Sequence, residues 1–204
     1  MIRDLCELAR RACVRSGVDF DNVIMRSDEV IVFGSTAADV AQASSDVDIV
    51  CFGRGSDVNC RGVLDLFFIA PSSSEMDAWL SSEIAVHVAR YGMWLKGDGD
   101  WRTRVGIREV TLERKRSVIS GEWRALFKYW ERLTLASRSD RLRSIRRNLQ
   151  RLSLMTAGEP VCPTPMLDKW IPIDTTISAM LRVATSLEVD LDQMSEGLSQ
   201  ICVE

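Results

Sequence analysis

Three aspartates carry the chemistry that this sequence offers. Asp46 and Asp48 stand at i and i+2 in Asp46-Val47-Asp48-Ile49-Val50-Cys51, and Asp65 stands in Val63-Leu64-Asp65-Leu66-Phe67-Phe68. Successive side chains of a strand alternate between its faces, so Asp46 and Asp48 share one face. Carboxylates side by side among apolar neighbours repel each other and are costly to strip of water. A divalent cation relieves that cost, and an all-oxygen ligand set favours Mg²⁺. If the strand of Asp65 pairs with the strand of Asp46 and Asp48, three carboxylates converge. Such a set suits two metal ions about 4 Å apart, which stabilise the attacking and leaving oxygens of phosphoryl chemistry. Upstream, Phe33-Gly34-Ser35 is separated from Asp46 by ten residues. Glycine allows a phosphate to approach the backbone closely, the start of a helix offers free N–H groups, and the serine hydroxyl adds a donor.

The elements that must position these groups follow from pattern. Apolar positions at Ile2, Leu5, Cys6, Ala9, Ala12 and Cys13 have helical spacing, so a helix is expected over 2–15. Residues 18–28 read as a polar loop. Val30-Ile31-Val32-Phe33 is a β-branched run that ends at Gly34 and reads as a buried strand. The alanine-rich stretch 36–43 suits a short helix. Strands are expected over Asp46 to Phe52 and over Val63 to Ile69, with a glycine-rich turn region, Gly53 to Gly62, between them. Ser72, Ser73 and Ser74 offer N-caps for a helix over about 76–91, with Asp77 as a capping-box partner. Gly97-Asp98-Gly99-Asp100 breaks the pattern and marks the expected boundary between a catalytic domain over 1–98 and a helical domain over 99–204. Helices are expected there over about 103–116, 119–136, 139–157, 173–187 and 190–201. Gly158 closes one of them, and Pro160, Pro163 and Pro165 mark a loop.

Gly34-Ser35, ten residues, Asp46-x-Asp48 and the later Asp65 together resemble the signature of the DNA polymerase β-type nucleotidyltransferase superfamily. The likeness runs from about Val30 to Ile69 and extends more weakly through Tyr91-Gly92-Met93-Trp94-Leu95, as in minimal nucleotidyltransferases. It implies an α/β (α+β) fold: a polymerase β-like domain with a small mixed sheet, followed by a C-terminal helical domain. It implies that Gly34 and Ser35 hold the β and γ phosphates of an NTP. It implies that Asp46 and Asp48 bind two Mg²⁺ ions, and that Asp65 binds the catalytic one and helps deprotonate an acceptor hydroxyl. ATP is the expected donor. An N-terminal catalytic domain followed by helices is similar to the aminoglycoside nucleotidyltransferases and to toxin–antitoxin nucleotidyltransferases. The acceptor is therefore a small molecule, a protein or a tRNA, and a homodimer is common among such two-part proteins. One departure stands out. Minimal nucleotidyltransferases often continue Gly-Ser-x-Ala-Arg-Gly, whereas here Gly34-Ser35-Thr36-Ala37-Ala38-Asp39 has no basic residue. Triphosphate affinity is therefore expected to be weaker, or to be supplied by an arginine elsewhere, such as Arg54 or one from the helical half. The alternative is a non-catalytic module that binds nucleotide or a partner, as an antitoxin does.

Composition narrows the classes. The chain has 204 residues and a net charge of −3, which disfavours a general nucleic-acid binder or a polymerase. No apolar run is long enough to span a bilayer, and the start of the chain, with Arg3 and Asp4, does not read as a signal peptide, so a cytoplasmic protein is expected. Six cysteines without CxxC spacing and a lone His87 argue against zinc and for reduced, buried thiols. His87 has no partner in an RxxxxH pair and reads as structural, and Glu83 as a solvated helix acid. Arg138, Arg141, Arg143, Arg146, Arg147 and Arg151 crowd one segment. They read first as a solvated helix face and otherwise as a surface for triphosphate or RNA, while the tail from Glu159 is acidic. Trp94, Trp101, Trp123 and Trp130 read as packing between the two halves, with stacking on a nucleotide base as the lesser option.

Overall fold

A computed structural model describes residues 2–43, 45–70 and 73–170. The expected helices over 173–187 and 190–201, the cap at Ser72 and most of the acidic tail lie outside the described residues. The chain divides into two compact units, one over Met1–Ile107 with Cys162–Pro165 and one that begins at Arg108.

The first unit is built on five strands. In chain order they are β1 (Ser27–Phe33), β2 (Val47–Gly53), β3 (Val58–Cys60), β4 (Leu64–Ile69) and β5 (Met93–Lys96), arranged in space as β3-β4-β2-β1-β5. The sheet is mixed. β2 runs parallel to β4, while β1 is antiparallel to both β2 and β5, and β3 is antiparallel to β4. Helices α1 (Ile2–Arg15) and α2 (Phe20–Arg26) cover one face. Helices α4 (Ser73–Leu80) and α5 (Glu83–Tyr91) lie on the other. A single helical turn, α3 (Gly34–Ala37), follows β1.

Period-2 alternation sorts the strands' side chains. Val30, Val32, Val47, Ile49, Cys51, Leu64 and Leu66 pack with Ala9, Ala12 and Cys13 of α1 and with Phe20 and Val23 of α2. Ile31, Phe33, Val50 and Phe52 pack with Trp79 and Leu80 of α4 and Ala85 and Val88 of α5. Trp101, in the 3₁₀ turn Asp100–Arg104, joins this second core, with its ring 5.5 Å from Phe52 and 5.4 Å from Trp79. Trp94 and Trp101 both donate their indole N–H to Glu29 Oε2, at 2.8 and 3.2 Å. These two tryptophans thus pack within the first unit. Buried thiols are confirmed at Cys13 and Cys51, and burial raises them to about 11 and about 12, so both stay protonated and inert.

Several elements differ from the sequence pattern. Residues 18–28 are not a loop: Asp19 accepts the N–H groups of Asp21 and Asn22 and caps α2, whose seven residues are too few to show a period. The helix expected over 76–91 is two helices, because Ser82 turns its hydroxyl to Ala85 N (3.0 Å) and starts α5 afresh. The helix expected over 36–43 stops after one turn, and Asp39 takes a left-handed φ of 56°. Edge strand β3 lies in the presumed turn region. Strand β5 pairs with β1 where only a weak likeness was read.

In the second unit, α6 (Glu109–Lys128) and α7 (Leu135–Thr156) form the frame, with α8 (Thr164–Trp170) after a loop. The two helices expected over 103–116 and 119–136 are one continuous α6 with a 3₁₀ turn, Trp130–Arg132, after it. Ile119, Trp123 and Leu126 from α6 and Ile145, Leu149 and Leu152 from α7 are fully or almost fully buried, at helical spacing. Gly158, at φ 71°, follows the end of α7, where a left-handed residue closes a helix. The arginine segment is not a solvated face. Arg146 is 6 % exposed, and Arg146 and Arg147 both bind the carboxylate of Asp168. Arg143 pairs with Asp140, and Arg138 stacks on Trp130 at 4.4 Å. Arg141 remains exposed.

Candidate active site

Strand register brings the acids together. β2 and β4 are parallel neighbours, and Asp48 stands directly opposite Asp65. Both are at the starts of their strands. Their faces follow from their neighbours: Val50 and Phe52, two and four residues after Asp48, belong to the core under α4 and α5, as does Phe67, two after Asp65. Asp46 precedes β2, and its charge acts on both Asp48 and Asp65.

Gly34 completes the arrangement from the other side. β1 ends at Phe33, which pairs with Asp48, so the chain turns into α3 beside that carboxylate. Gly34 has φ 72°, a conformation that side-chain-bearing residues rarely adopt. A Cβ placed on it would lie 1.9 Å from Asp48 Oδ2. Glycine is thus required twice, by its backbone and by the carboxylate that rests on it. Ser35 follows in the same turn, whose N-terminus has no side-chain cap and keeps N–H groups available to an anion. Thr36 Oγ1 donates to the backbone oxygen of Asp46 (3.4 Å) and ties this turn to the entry of β2.

The electrostatics are those of a site with excess negative charge. Burial first, then the charges of Asp46 and Asp65, push the Asp48 carboxyl up to about 7. Burial and Asp46 also raise Asp65. Among the described residues no lysine, arginine or histidine pairs with any of the three. Asp65 Oδ1 instead accepts from Asn59 Nδ2 at 2.6 Å. Among the described residues no three His, Cys, Asp or Glu side chains are closed around one point as a ready metal cage. Like charge and the Asn59 bond give the carboxylates no cause to close in the protein alone. The donor set, all carboxylate oxygen and without a cation of the protein's own, fits Mg²⁺.

Two residues of this neighbourhood were not legible as site residues. Asn59 sits opposite Asp65 in β3, a three-residue edge strand hidden in a glycine-rich segment. Thr36 acts through a hydroxyl-to-backbone bond that no spacing reveals. Arg54, an expected substitute for the missing basic residue, is misplaced for that role. It follows the far end of β2, six residues and about 20 Å from Asp48, beside Asp19, Asn22 and Arg26 at α2.

The family model for the nucleotidyltransferase domain matches residues 15–90. These residues are a nucleotidyltransferase domain of the polymerase β type. The match runs from the end of α1 to α5 and contains Gly34, Ser35, Asp46, Asp48 and Asp65. The five-stranded mixed sheet and the helices around it are consistent with that fold. No match was found among the curated proteins. The matched residues include both Gly34 and Asp48, whose carboxylate leaves no room for a Cβ on that glycine. Among the described residues no helix is long and apolar enough to cross a membrane. His87 is buried on α5, its ring 6.1 Å from Phe33 and 5.1 Å from Tyr91, as suits a structural residue.

Proposed function

We propose that this protein transfers a nucleoside monophosphate from an NTP, with ATP as the expected donor, to a hydroxyl of an acceptor molecule: the hydroxyl oxygen bonds to the α phosphorus as the bond from that phosphorus to the β-phosphate oxygen breaks and pyrophosphate leaves. One observation carries the reading: Asp48, in register with Asp65, rests on the left-handed Gly34 of the phosphate-binding turn. Asp46, Asp48 and Asp65 are the residues that would hold two Mg²⁺ ions. When bound, such ions supply positive charge to the attacking and leaving oxygens. Gly34 and Ser35 would bind the β and γ phosphates through backbone N–H groups and the serine hydroxyl. Asp65, on the β4 side, would take the proton of the acceptor hydroxyl, with Asn59 orienting its carboxylate. The acceptor is a small molecule, a protein or a tRNA. The pairing of Arg143, Arg146 and Arg147 with acids of their own unit weakens the case for an RNA surface on α7. The catalytic part is the N-terminal one, expected over 1–98, and a homodimer remains part of the proposal.

A second reading has its own observation. Thr36-Ala37-Ala38-Asp39 brings no basic residue to the turn, and Asp39 adds an acid there. A module that binds nucleotide or a partner without turnover would show this. The two separate in one experiment, label transfer from α-³²P NTPs with Mg²⁺ into RNA, protein and small molecules of a cell extract. Transfer that is lost in Asp46→Ala/Asp48→Ala establishes the enzyme and names the acceptor class. Absence of transfer with all four NTPs favours the module.

A further inference from the structure

Arg26, the last residue of α2, and Arg54, the first residue after β2, line one cavity of about 170 Å³. Its floor is Val23 of α2, Val58 of β3, and Leu66 and Phe68 of β4, all part of the core under α1 and α2. Asp48 and Asp65 stand on the other face of the sheet and at the other end of their strands, so this cavity is separate from the transfer site. Its volume is close to the roughly 150 Å³ that holds a benzene ring. Three contacts fix the loop that forms its rim. A Cβ on Gly53 would lie 2.6 Å from the carbonyl oxygen of Arg26, and one on Gly55 would run into the Phe68 ring. Glycine therefore lets the chain pass closely over α2 and over that ring. Phe68 N donates to Asp57 Oδ1 at 2.7 Å and pins the far end of the loop to β4.

The charges around the cavity are not balanced from within. Arg26 and Arg54 are exposed, and among the described residues neither guanidinium has a hydrogen-bond or ion-pair partner. On α1, by contrast, Arg10 pairs with Asp21 and Arg11 with Glu7. The side-chain amide of Asn22 and the hydroxyl of Ser56, in the same lining, are also without partners among the described residues. Asp19 is the one acid of the described lining, and its Oδ1 is engaged by the N–H groups of Asp21 and Asn22. The carbonyl oxygens of Ile24 and Ser27, at the end of α2, accept from Lys96 Nζ at 2.9 and 2.6 Å, which offsets the negative end of that helix. An apolar floor is thus joined to a rim with two unspent cations and two neutral polar groups. The forked donors of a guanidinium match the oxygens of a carboxylate or a phosphate. A neutral ligand would leave them unused, and a cationic one would be repelled.

We propose that this cavity binds a small organic oxyanion, a carboxylate or phosphate group carried on a ring or short apolar chain. The oxyanion is held by Arg26 and Arg54, and the apolar part rests on Leu66 and Phe68. The site is a second one, and it stands whether or not the nucleotidyl-transfer reading does. The test uses the full chain labelled with ¹⁵N and ¹³C and follows the backbone amide signals of Gly55 and Ser56. Benzoate and phenyl phosphate are the probes, and benzamide is the neutral match. At least one of the two anions is expected to move both signals saturably, and the tighter one tells a carboxylate ligand from a phosphate ligand. Arg26→Gln and Arg54→Gln are each expected to weaken that binding about tenfold, as loss of a charge-assisted hydrogen bond does. Both residues are exposed, so Tm should stay at the wild-type value in both variants. Signals that neither anion moves saturably, benzamide binding as tight as that of the anions, or wild-type affinity in either glutamine variant overturns the inference.

Discussion

The two faces of the one sheet are built from the same strands and differ in how they end. Under α1 and α2, every inward residue from Val47 to Cys51 on β2 and at Leu64 and Leu66 on β4 is apolar and at most 8 % exposed. Under α4 and α5, the same strands begin with Asp48 and Asp65 and only then become apolar at Val50 and Phe67. Along β2 the first face has one task, to hold the sheet. The second gives up part of its cover to keep Asp48 beside Gly34 and Asp65 beside Asp48. Stability and chemistry are thus divided across a thickness of one strand.

That division can be broken from either side. The largest effect is expected for Ile49→Ala on the sealed face. It removes a fully buried side chain and should cost about 2–5 kcal/mol in urea unfolding. An unchanged midpoint would mean that this face is not the structural one. Gly34→Ala comes next. A left-handed φ costs a non-glycine residue about 1–3 kcal/mol, and the methyl would also displace the Asp48 carboxylate. Both stability and Mg²⁺ affinity should fall, by calorimetric titration, whereas loss of stability alone would argue that Asp48 does not hold the metal. Asn59→Ala should leave the fold intact and lower Mg²⁺ affinity or transfer about 10–100-fold, as removal of a residue that orients a ligand does.

The opposite sign is expected for Asp48→Asn. This change removes a buried charge that two other carboxylates oppose, so the metal-free protein should gain about 1 kcal/mol, or about 2–4 °C in Tm. Its pH dependence follows from the same shift. The Asp48 carboxyl titrates at about 7 in the fold and near 3.8 when unfolded. The folded protein therefore holds the extra proton between those values. This contribution to stability is full below about pH 4 and is lost as pH rises through 7. Tm measured without metal should show this decline in wild type and not in Asp48→Asn. Identical profiles would mean that Asp48 is not the buried acid of the site.

Much of the site was legible because it depends on short-range pattern. Gly34-Ser35 after a β-branched run and Asp46-x-Asp48 before another have local geometries that few alternatives satisfy. Asn59 was not legible, since a three-residue edge strand has too few residues for a period, and its role comes from pairing with β4. Capping misled in both directions. Asp19 starts a seven-residue helix inside an apparent loop, and Ser82 cuts an apparent single helix in two. The arginines of α7 show the limit most plainly. Their number suggested a charged surface, yet Asp168, more than twenty residues away in sequence, pairs with two of them.

By itself, then, the sequence determined the three strands β1, β2 and β4, which of their faces are apolar, and that three acids stand where apolar side chains are expected. These follow from alternation, β-branching and the cost of burying charge, all of which act within a few residues. Tertiary structure alone decided that Asp48 faces Asp65 across a parallel pair and that its carboxylate rests on Gly34. Register between distant strands and the packing of helices against a sheet are properties of the closed chain, because the free energy that selects them is the burial of surfaces far apart in sequence.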